Sequence, residues 1–395
     1  MTIRRPSNDR LSTSVLVVLA VGTFIVGTDG FVLNGLLPLI AHDLGVTESA
    51  VGQLSTSFAL TYAIASPVIA AATGNWDRRT LLAWGLGLFT VGMAGQALAD
   101  GYTMMLISRI LAAVGAAAFQ ANAYVVAGAL ATPERRGRVL STVMTGMNVS
   151  IVLGVPIGVF AAQGLGWRAV MWAIAGVSVL VALMMLSVPS VRVPPVSLRE
   201  RLAVLARLPV LKVLLVTTLG FMAVLTVFAY LPLVVAPSAV GAVLSWVLVG
   251  YGVGQVAGNH FAGRWTDRFG TDRVRMLSLA GTAITMALLI AGAQTLLTTI
   301  VIAVAVGAFG GMLMVPQQHR LFTIAPDVPT VAMGLNGSAI YIGVAAGSAL
   351  GGAVLDNAGA TALPVTGALI AVLGLAFAYA YRHRPAPATA ELQPA

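Results

Sequence analysis

Residues 14–40 read SVLVVLAVGTFIVGTDGFVLNGLLPLI, an apolar run that contains a single charged residue, Asp29. A helix that crosses the hydrocarbon core of a bilayer needs about 20 consecutive apolar residues, so this run is long enough to span a membrane. Similar runs follow it along the whole chain, and they predict an all-α membrane protein with twelve transmembrane helices. We place these helices at residues 14–40, 48–72, 80–99, 103–130, 138–163, 168–188, 211–235, 240–262, 274–294, 297–320, 329–354 and 360–381.

The composition of the 395-residue chain excludes a water-soluble fold, because 58% of the residues are hydrophobic and only 9% are charged, against about 25% charged residues in soluble domains. There is no cysteine, and the four histidines are dispersed, so we expect no metal site and no cofactor. The sequence contains neither a phosphate-binding Gly-Lys-Ser/Thr loop nor a Ser, His and carboxylate grouping. We therefore expect neither an ATP-driven pump nor an enzyme.

Positive charge alternates from loop to loop along the chain. Twenty of the 22 basic residues lie in the two termini or in every second loop, which is the pattern that keeps a loop on the cytoplasmic side. The net charge of +9 thus comes from basic residues on one membrane face, where they lie beside anionic lipid headgroups. No nucleic-acid partner is expected. We predict a monomeric, multi-pass protein of the bacterial inner membrane with both termini in the cytoplasm.

A Pro-rich polar break near residues 188–207 divides the chain almost in half, and short motifs recur across it at offsets of 194, 190 and 188 residues. The matching pairs are 37–39 with 231–233, 74–78 with 263–268, and 145–150 with 333–338. One six-helix unit used twice in the same orientation is typical of a transporter whose halves rock against each other. We predict six-helix bundles at 1–188 and 210–384, a cytoplasmic linker at 189–209 and a disordered tail at 385–395.

With twelve predicted helices in two repeats, the chain resembles the major facilitator superfamily over nearly its whole length. The similarity is closest to the twelve-helix drug:proton antiporters, and among these to bacterial sugar-efflux-like and chloramphenicol-exporter-like permeases. This resemblance implies alternating access between two six-helix units around a central cavity. The residues that carry it are 27–32 in the first helix, Asp77-Arg78-Arg79 in the second loop, Arg109 in the fourth helix, 154–158 in the fifth and 334–338 in the eleventh.

Two charged residues, Asp29 and Arg109, lie within predicted membrane helices, where a charge costs several kcal/mol and is rarely kept without a use. At about 1.5 Å rise per residue, both lie in the outer half of the membrane at similar depths. The family resemblance puts both helices beside the cavity. We hypothesise that Asp29 binds the transported proton and that the approach of Arg109 tunes its proton affinity; the alternative is a permanent ion pair that holds helices together.

The fourth helix also indicates candidate substrate contacts. Gln120 lies eleven residues after Arg109, about three turns, so the two side chains point in nearly the same direction, and Tyr124 follows one turn later. Polar side chains such as these also bridge helices without binding a substrate, so both roles stay open. Weaker candidates, chosen for polarity within presumed cavity or interface helices, are Tyr62, Tyr230, Gln317 and Tyr341.

The fifth helix carries small residues at four-residue spacing, which lets another helix approach closely, and a proline, which bends it. These residues are Gly146, Ser150, Gly154 and Gly158, with Pro156 between the last two. In the resembling family the comparable motif is associated with antiporters, but here Pro156 stands one position later and Val159 replaces a common glycine. Close packing and a barrier against leak both remain possible roles.

Charged residues recur in two matching loops that we place in the cytoplasm, Asp77, Arg78 and Arg79 in one and Asp267 and Arg268 in the other. A carboxylate there can cap a helix, and the arginines can pair across the interface between halves in one conformation only. The resemblance implies a gate of this kind that favours the outward-open state. The alternative is that these charges only fix the topology.

Taken together, these residues predict a proton-coupled secondary transporter that exports a small molecule by antiport. A single membrane carboxylate fits neutral or cationic solutes better than polyanions, and sugars, chloramphenicol-like drugs and nucleosides all stay open as substrates. The alternative function is a proton-coupled symporter or facilitator for a small nutrient. The expected partners are the substrate, protons and the lipid bilayer.

Overall fold

A computed structural model describes residues 13–132, 135–192, 197–292 and 295–382; the predicted tail at 385–395 lies outside them. Within these ranges twelve helices are long and apolar enough to cross a membrane, which confirms the predicted fold class. They are α1 Thr13–Leu44, α2 Glu48–Ala72, α3 Arg78–Ala97, α4 Tyr102–Leu130, α5 Arg136–Leu165, α6 Trp167–Ser187, α7 Leu208–Phe228, α8 Gly241–Phe269, α9 Thr271–Ile290, α10 Leu296–Ile324, α11 Pro329–Ala358 and α12 Ala362–Ala380. A short linker helix, Leu198–Leu205, lies within the range predicted as the linker.

Two helix ends lie seven residues from where the hydropathy pattern predicted them, more than any other. Helix α7 stops at Phe228 instead of continuing to residue 235, and a one-turn helix, Leu231–Val234, follows it. The cause is Pro232, which has no N–H to donate and whose ring would clash with the preceding turn. Helix α8 runs seven residues further than predicted, to Phe269, and ends where Gly270 adopts a φ of 86°, a conformation that glycine favours.

Small residues bring the helices of each half close together. In the first half α3 packs along α4 and α1 packs along α5, while in the second half α8 packs along α10 and α7 along α11. A Cβ atom on Gly92 of α3 would lie 2.5 Å from the backbone nitrogen of Ala112 in α4, so only glycine permits this approach. Such close backbone contacts are the usual means by which helices associate in lipid.

The two halves meet mainly along α2 and α11 and along α5 and α8. We call the end with the loops at 73–77, 188–192 and 325–328 the arginine-rich face, and the other end the opposite face. Towards the opposite face, Gly352 of α11 lies against Ser49 at the start of α2, with its missing Cβ 2.9 Å from Ser49 Oγ. In mid-helix, Gly252 of α8 lies against Val152 of α5. Residues Arg136–Val149, towards the arginine-rich face, pack mainly on α1 and α4 instead.

Candidate functional site

The centre of the first half contains a buried ion pair between α1 and α4. Arg109 Nη1 lies 2.5 Å from Asp29 Oδ1, Arg109 Nη2 donates to the backbone oxygen of Asp29 at 3.2 Å, and both side chains are fully buried. The guanidinium also lies over the ring of Phe58 in α2, 4.3 Å from its centroid, a favourable cation–π geometry. The structure thus brings together the two charges that the sequence placed at similar depth.

This ion pair is incompletely satisfied. Asp29 Oδ2 and Arg109 Nε are both buried and have no hydrogen-bond partner among the described residues. A buried charge needs its remaining lone pairs and protons matched for the pair to repay desolvation. Asp29 Oδ2 is therefore free to accept a further hydrogen bond or a proton.

Four of the predicted substrate contacts form a cluster of two side-chain pairs. Gln120 donates to the hydroxyl of Tyr124 at 3.1 Å, while its own Oε1 is buried without a partner among the described residues. Tyr62 of α2 stacks on Tyr341 of α11, with ring centroids 3.7 Å apart, so this contact joins the two halves. Tyr341 also interacts electrostatically with Tyr124, Asp29 and Arg109.

Tyr230 and Gln317 lie apart from this cluster. The Tyr230 hydroxyl donates to the backbone oxygen of Ser348 at 2.9 Å, and its ring packs against glycines of α2 and α11 near the opposite face. Gln317 donates to Val213 O and Thr217 Oγ1, both at 2.8 Å, and so ties α10 to α7. Polarity within a helix does not distinguish such bridges from cavity contacts, which is why the sequence grouped all six residues together.

The sequence interpretation missed a cavity in the second half, with about 510 Å³ of empty space including open solvent, whose wall includes Tyr251 and Gln255 of α8. The repeat held a usable signal. Gly74 corresponds to Gly263, a shift of 189 residues, and the same shift carries Tyr62 onto Tyr251. The tyrosine chosen as a cavity candidate in α2 therefore had a counterpart in α8.

The first predicted gating group is held within its own half. Asp77 caps α3 by accepting from Arg79 N at 3.0 Å, and it also accepts from Val191 N at 3.2 Å. Partial burial opposes its ionisation, but hydrogen bonds from Ser190 and from these two backbone N–H groups lower the pKa of Asp77 below its usual value. Arg78 donates to Asn122 Oδ1 of α4 at 3.2 Å. Asp77 thus caps α3, and Arg78 reaches α4 of its own half in this state.

The second predicted gating group, Asp267 and Arg268, is exposed at the end of α8. Two ion pairs at this end of the second half share another carboxylate, Asp272, whose Oδ1 lies 2.9 Å from Arg275 Nη2 and 2.6 Å from Arg320 Nη1. Asp272 stands in the first turn of α9, where a negative charge also interacts favourably with the helix dipole. Sequence matching selected the motif aspartate and not this neighbour.

The small residues of α5 face α1. A Cβ atom on Gly158 would lie 2.6 Å from Val32 Cγ2, and one on Gly154 would lie 3.2 Å from the ring of Phe24. Gly146 lies against the backbone of Ala20 in the same way. Ser150 begins a π-helical turn that runs to Gly154, just before Pro156, which cannot donate the usual backbone hydrogen bond. The stripe therefore forms the α1–α5 contact.

Among the described residues no group of His, Asp or Glu side chains is placed to hold a metal ion. The family model described as Major Facilitator Superfamily matches residues 19–241 and 234–395 of the chain. The chain is 31% identical over 363 residues to the "Uncharacterized MFS-type transporter YbcL" of Bacillus subtilis, with 91% of this chain and 93% of that protein covered.

Two further relatives carry more informative names. The "Inner membrane transport protein YdhP" of Escherichia coli K12 is 30% identical over 366 residues, covering 91% of this chain and 94% of the relative. The "Chloramphenicol resistance protein" of Streptomyces lividans is 32% identical over 378 residues, covering 90% and 93%. Among solved structures, the partially occluded, inward-open xylose transporter XylE from E. coli superposes with a TM-score of 0.75 at 16% identity, covering 94% of this chain and 99% of XylE.

Proposed function

The chain belongs to the major facilitator superfamily, and on that premise we propose that it is a proton-coupled transporter of the inner membrane that exports a small molecule in exchange for protons. The observation that carries this proposal is the buried Asp29–Arg109 pair with its unpartnered carboxylate oxygen. The relative named as a chloramphenicol resistance protein supports export of a drug-like solute.

The proposed proton step takes place at Asp29 Oδ2. A proton taken up there neutralises the carboxylate and removes its attraction to Arg109, which is then an uncompensated charge in a fully buried position. Such a charge is strongly destabilising, so proton uptake favours a rearrangement of α1 against α4 that gives the guanidinium another partner or water. Release of the proton from Asp29 restores the ion pair, and the cycle links protonation to the position of these helices.

We assign the arginine-rich face to the cytoplasm, since basic loops stay on that side. Both termini then lie in the cytoplasm. The contact between α5 and α8 involves Ser150–Gly154 and Val155–Leu165 and not mainly Arg136–Val149, which supports an inward-facing state. Asp77 and Arg78, which here connect α3 to α4 and to Val191 in the segment after α6, act as a gate by releasing or keeping these contacts as the two halves rock.

The test is purified protein in liposomes that contain a pH-sensitive dye, with an imposed pH gradient and a solute panel that includes chloramphenicol. We expect solute and protons to move in opposite directions, and Asp29→Asn to abolish the proton movement. Asp100→Asn is the matched control, because Asp100 is exposed in the α3–α4 loop. Proton-driven movement that persists in Asp29→Asn with unchanged pH dependence would falsify the role of Asp29, and movement in one shared direction would establish the symporter alternative.

A further inference from the structure

The cavity of the second half differs from the ion-pair region of the first half in its chemistry. Fourteen residues line it, and none of them is charged; only Phe31 and Ile151 come from the first half. In the described part of the second half, the ion pairs all involve Asp272 or Asp327 near the arginine-rich face.

The wall of this cavity is mainly aromatic and aliphatic. Phe228 of α7 lies between Phe31 and Tyr251, with ring centroids 6.2 Å and 4.4 Å away respectively. A second, smaller cavity shares Phe228 and Tyr251 with the first and continues towards Leu231 and Val235 near the opposite face. A flat apolar ring can therefore pack against these aromatic side chains, which favour offset or edge contacts.

One polar atom in the wall lacks a partner. Gln255 Oε1 is buried and has no hydrogen bond among the described residues, whereas the nearby hydroxyls of Ser278 and Thr282 already donate to backbone oxygens. An unpaired buried carbonyl is costly, and a ligand that donates an N–H or O–H to it removes that cost. A sugar has many hydroxyls and would leave most of them unpaired in this apolar wall, which is unfavourable. A cation would find no carboxylate there.

We propose that this cavity, and not the cluster around Gln120, binds the transported molecule, and that the molecule is uncharged, largely apolar and aromatic, and donates one hydrogen bond to Gln255. This inference rests on the proposed transport function and specifies its substrate class. It also gives a route for coupling. Phe31 lines the cavity two residues after Asp29 on the same helix, so ligand and proton both act on α1.

The experiment measures equilibrium binding of radiolabelled chloramphenicol, a neutral aromatic molecule with N–H and O–H donors, to the purified full chain in nanodiscs without a pH gradient. We expect saturable binding and at least a tenfold higher Kd for Gln255→Leu, which keeps the side-chain volume but removes the acceptor. D-xylose and tetraphenylphosphonium should not displace the label. Gln96→Leu is the matched control: Gln96 Oε1 in α3 is also buried and unpartnered but lies outside the cavity, so its Kd should not change.

A Gln255→Leu Kd within twofold of wild type, with melting temperatures equal, overturns the site. Stronger loss of binding in Gln120→Leu than in Gln255→Leu places the ligand in the first half and overturns it as well. Displacement by xylose or tetraphenylphosphonium, or no chloramphenicol binding at its solubility limit, overturns the ligand class. Binding that depends on Gln255 in a protein that moves no protons leaves this inference standing and refutes only the proposed antiport.

Discussion

Single residues carry the energetic argument for coupling. Asp29 and Arg109 are enclosed by α1, α2 and α4 and lie 2.5 Å apart at their nearest atoms. The pair shares only one close carboxylate contact, and the second oxygen stays free of described partners. A pair of this kind is strongly destabilised by the loss of one partner, while replacing both partners with apolar residues is often close to neutral. That asymmetry gives a direct test of whether both residues are charged in this state.

We predict that Arg109→Leu alone destabilises the folded protein by about 3–5 kcal/mol, because it leaves the Asp29 carboxylate buried and unpaired. The double variant Asp29→Leu with Arg109→Leu should regain most of this loss. Thermal unfolding in detergent, followed by tryptophan fluorescence, measures both. A double variant no more stable than the single one would mean that Asp29 is already protonated in the resting structure.

Asp77 gives a second residue-scale prediction. Its lowered pKa keeps it ionised at neutral pH, so its stabilising contribution is present above the ordinary pKa near 3.8 and is lost only as the pH falls through the lower folded value. Stability should therefore not change between pH 6 and 8 on account of Asp77.

We expect Asp77→Asn to express normally and to slow transport several-fold; an unchanged rate in liposomes would rule out the gate.

At the scale of elements, the α1–α5 contact shows how far a sequence pattern reaches. The four-residue spacing of Gly146, Ser150, Gly154 and Gly158 indicates one small-residue face, and the structure places that face on α1. The spacing does not reveal which helix lies opposite, because the partner is set by the packing of the whole half. The π-helical turn before Pro156 is equally a product of context, since it appears where the proline removes a donor.

We predict that Gly154→Val lowers the melting temperature, because its side chain would collide with Thr28 and Phe24 of α1. Gly164→Val is the control, since no atom lies within 4 Å of a Cβ at that position. Proton leak into liposomes without substrate separates the two roles of the stripe. Raised leak in a Gly154→Val protein that still folds indicates a barrier, and unchanged leak indicates packing alone.

At the scale of the whole molecule, the apolar runs and the recurring motifs were sufficient to predict twelve helices, because lipid requires long helices in sequence order. The cavity was not predictable in this way. Its wall joins Phe31 to Phe228, almost two hundred positions apart, and nothing in the local pattern of either helix indicates that they meet. The end of α7 was also missed, since hydropathy continues smoothly through Pro232 while the backbone does not.

The close approach of the halves at the opposite face predicts a reversible lock. Ser49→Cys with Gly352→Cys should form a disulfide on oxidation, since a Cβ on Gly352 lies 2.9 Å from Ser49 Oγ and the chain has no other cysteine. We expect oxidation to stop transport and a reductant to restore it, as measured in liposomes. Gly352→Cys alone is the control, because a Cβ there would also lie 2.5 Å from Gln53 Nε2 and 2.7 Å from the Tyr230 hydroxyl. Full transport by the oxidised, cross-linked protein would contradict rocking about this interface.

The uneven distribution of charge between the repeats has an evolutionary consequence. The first half keeps the buried ion pair, whereas the hollow in the second half is lined by uncharged residues. If, after duplication, one repeat specialises in proton coupling, the sequence of the other repeat is free to change. Under the roles proposed here, mutations around the cavity can alter which compound is exported without disturbing the ion pair that couples transport to protons. A lineage can then acquire new resistances by small steps.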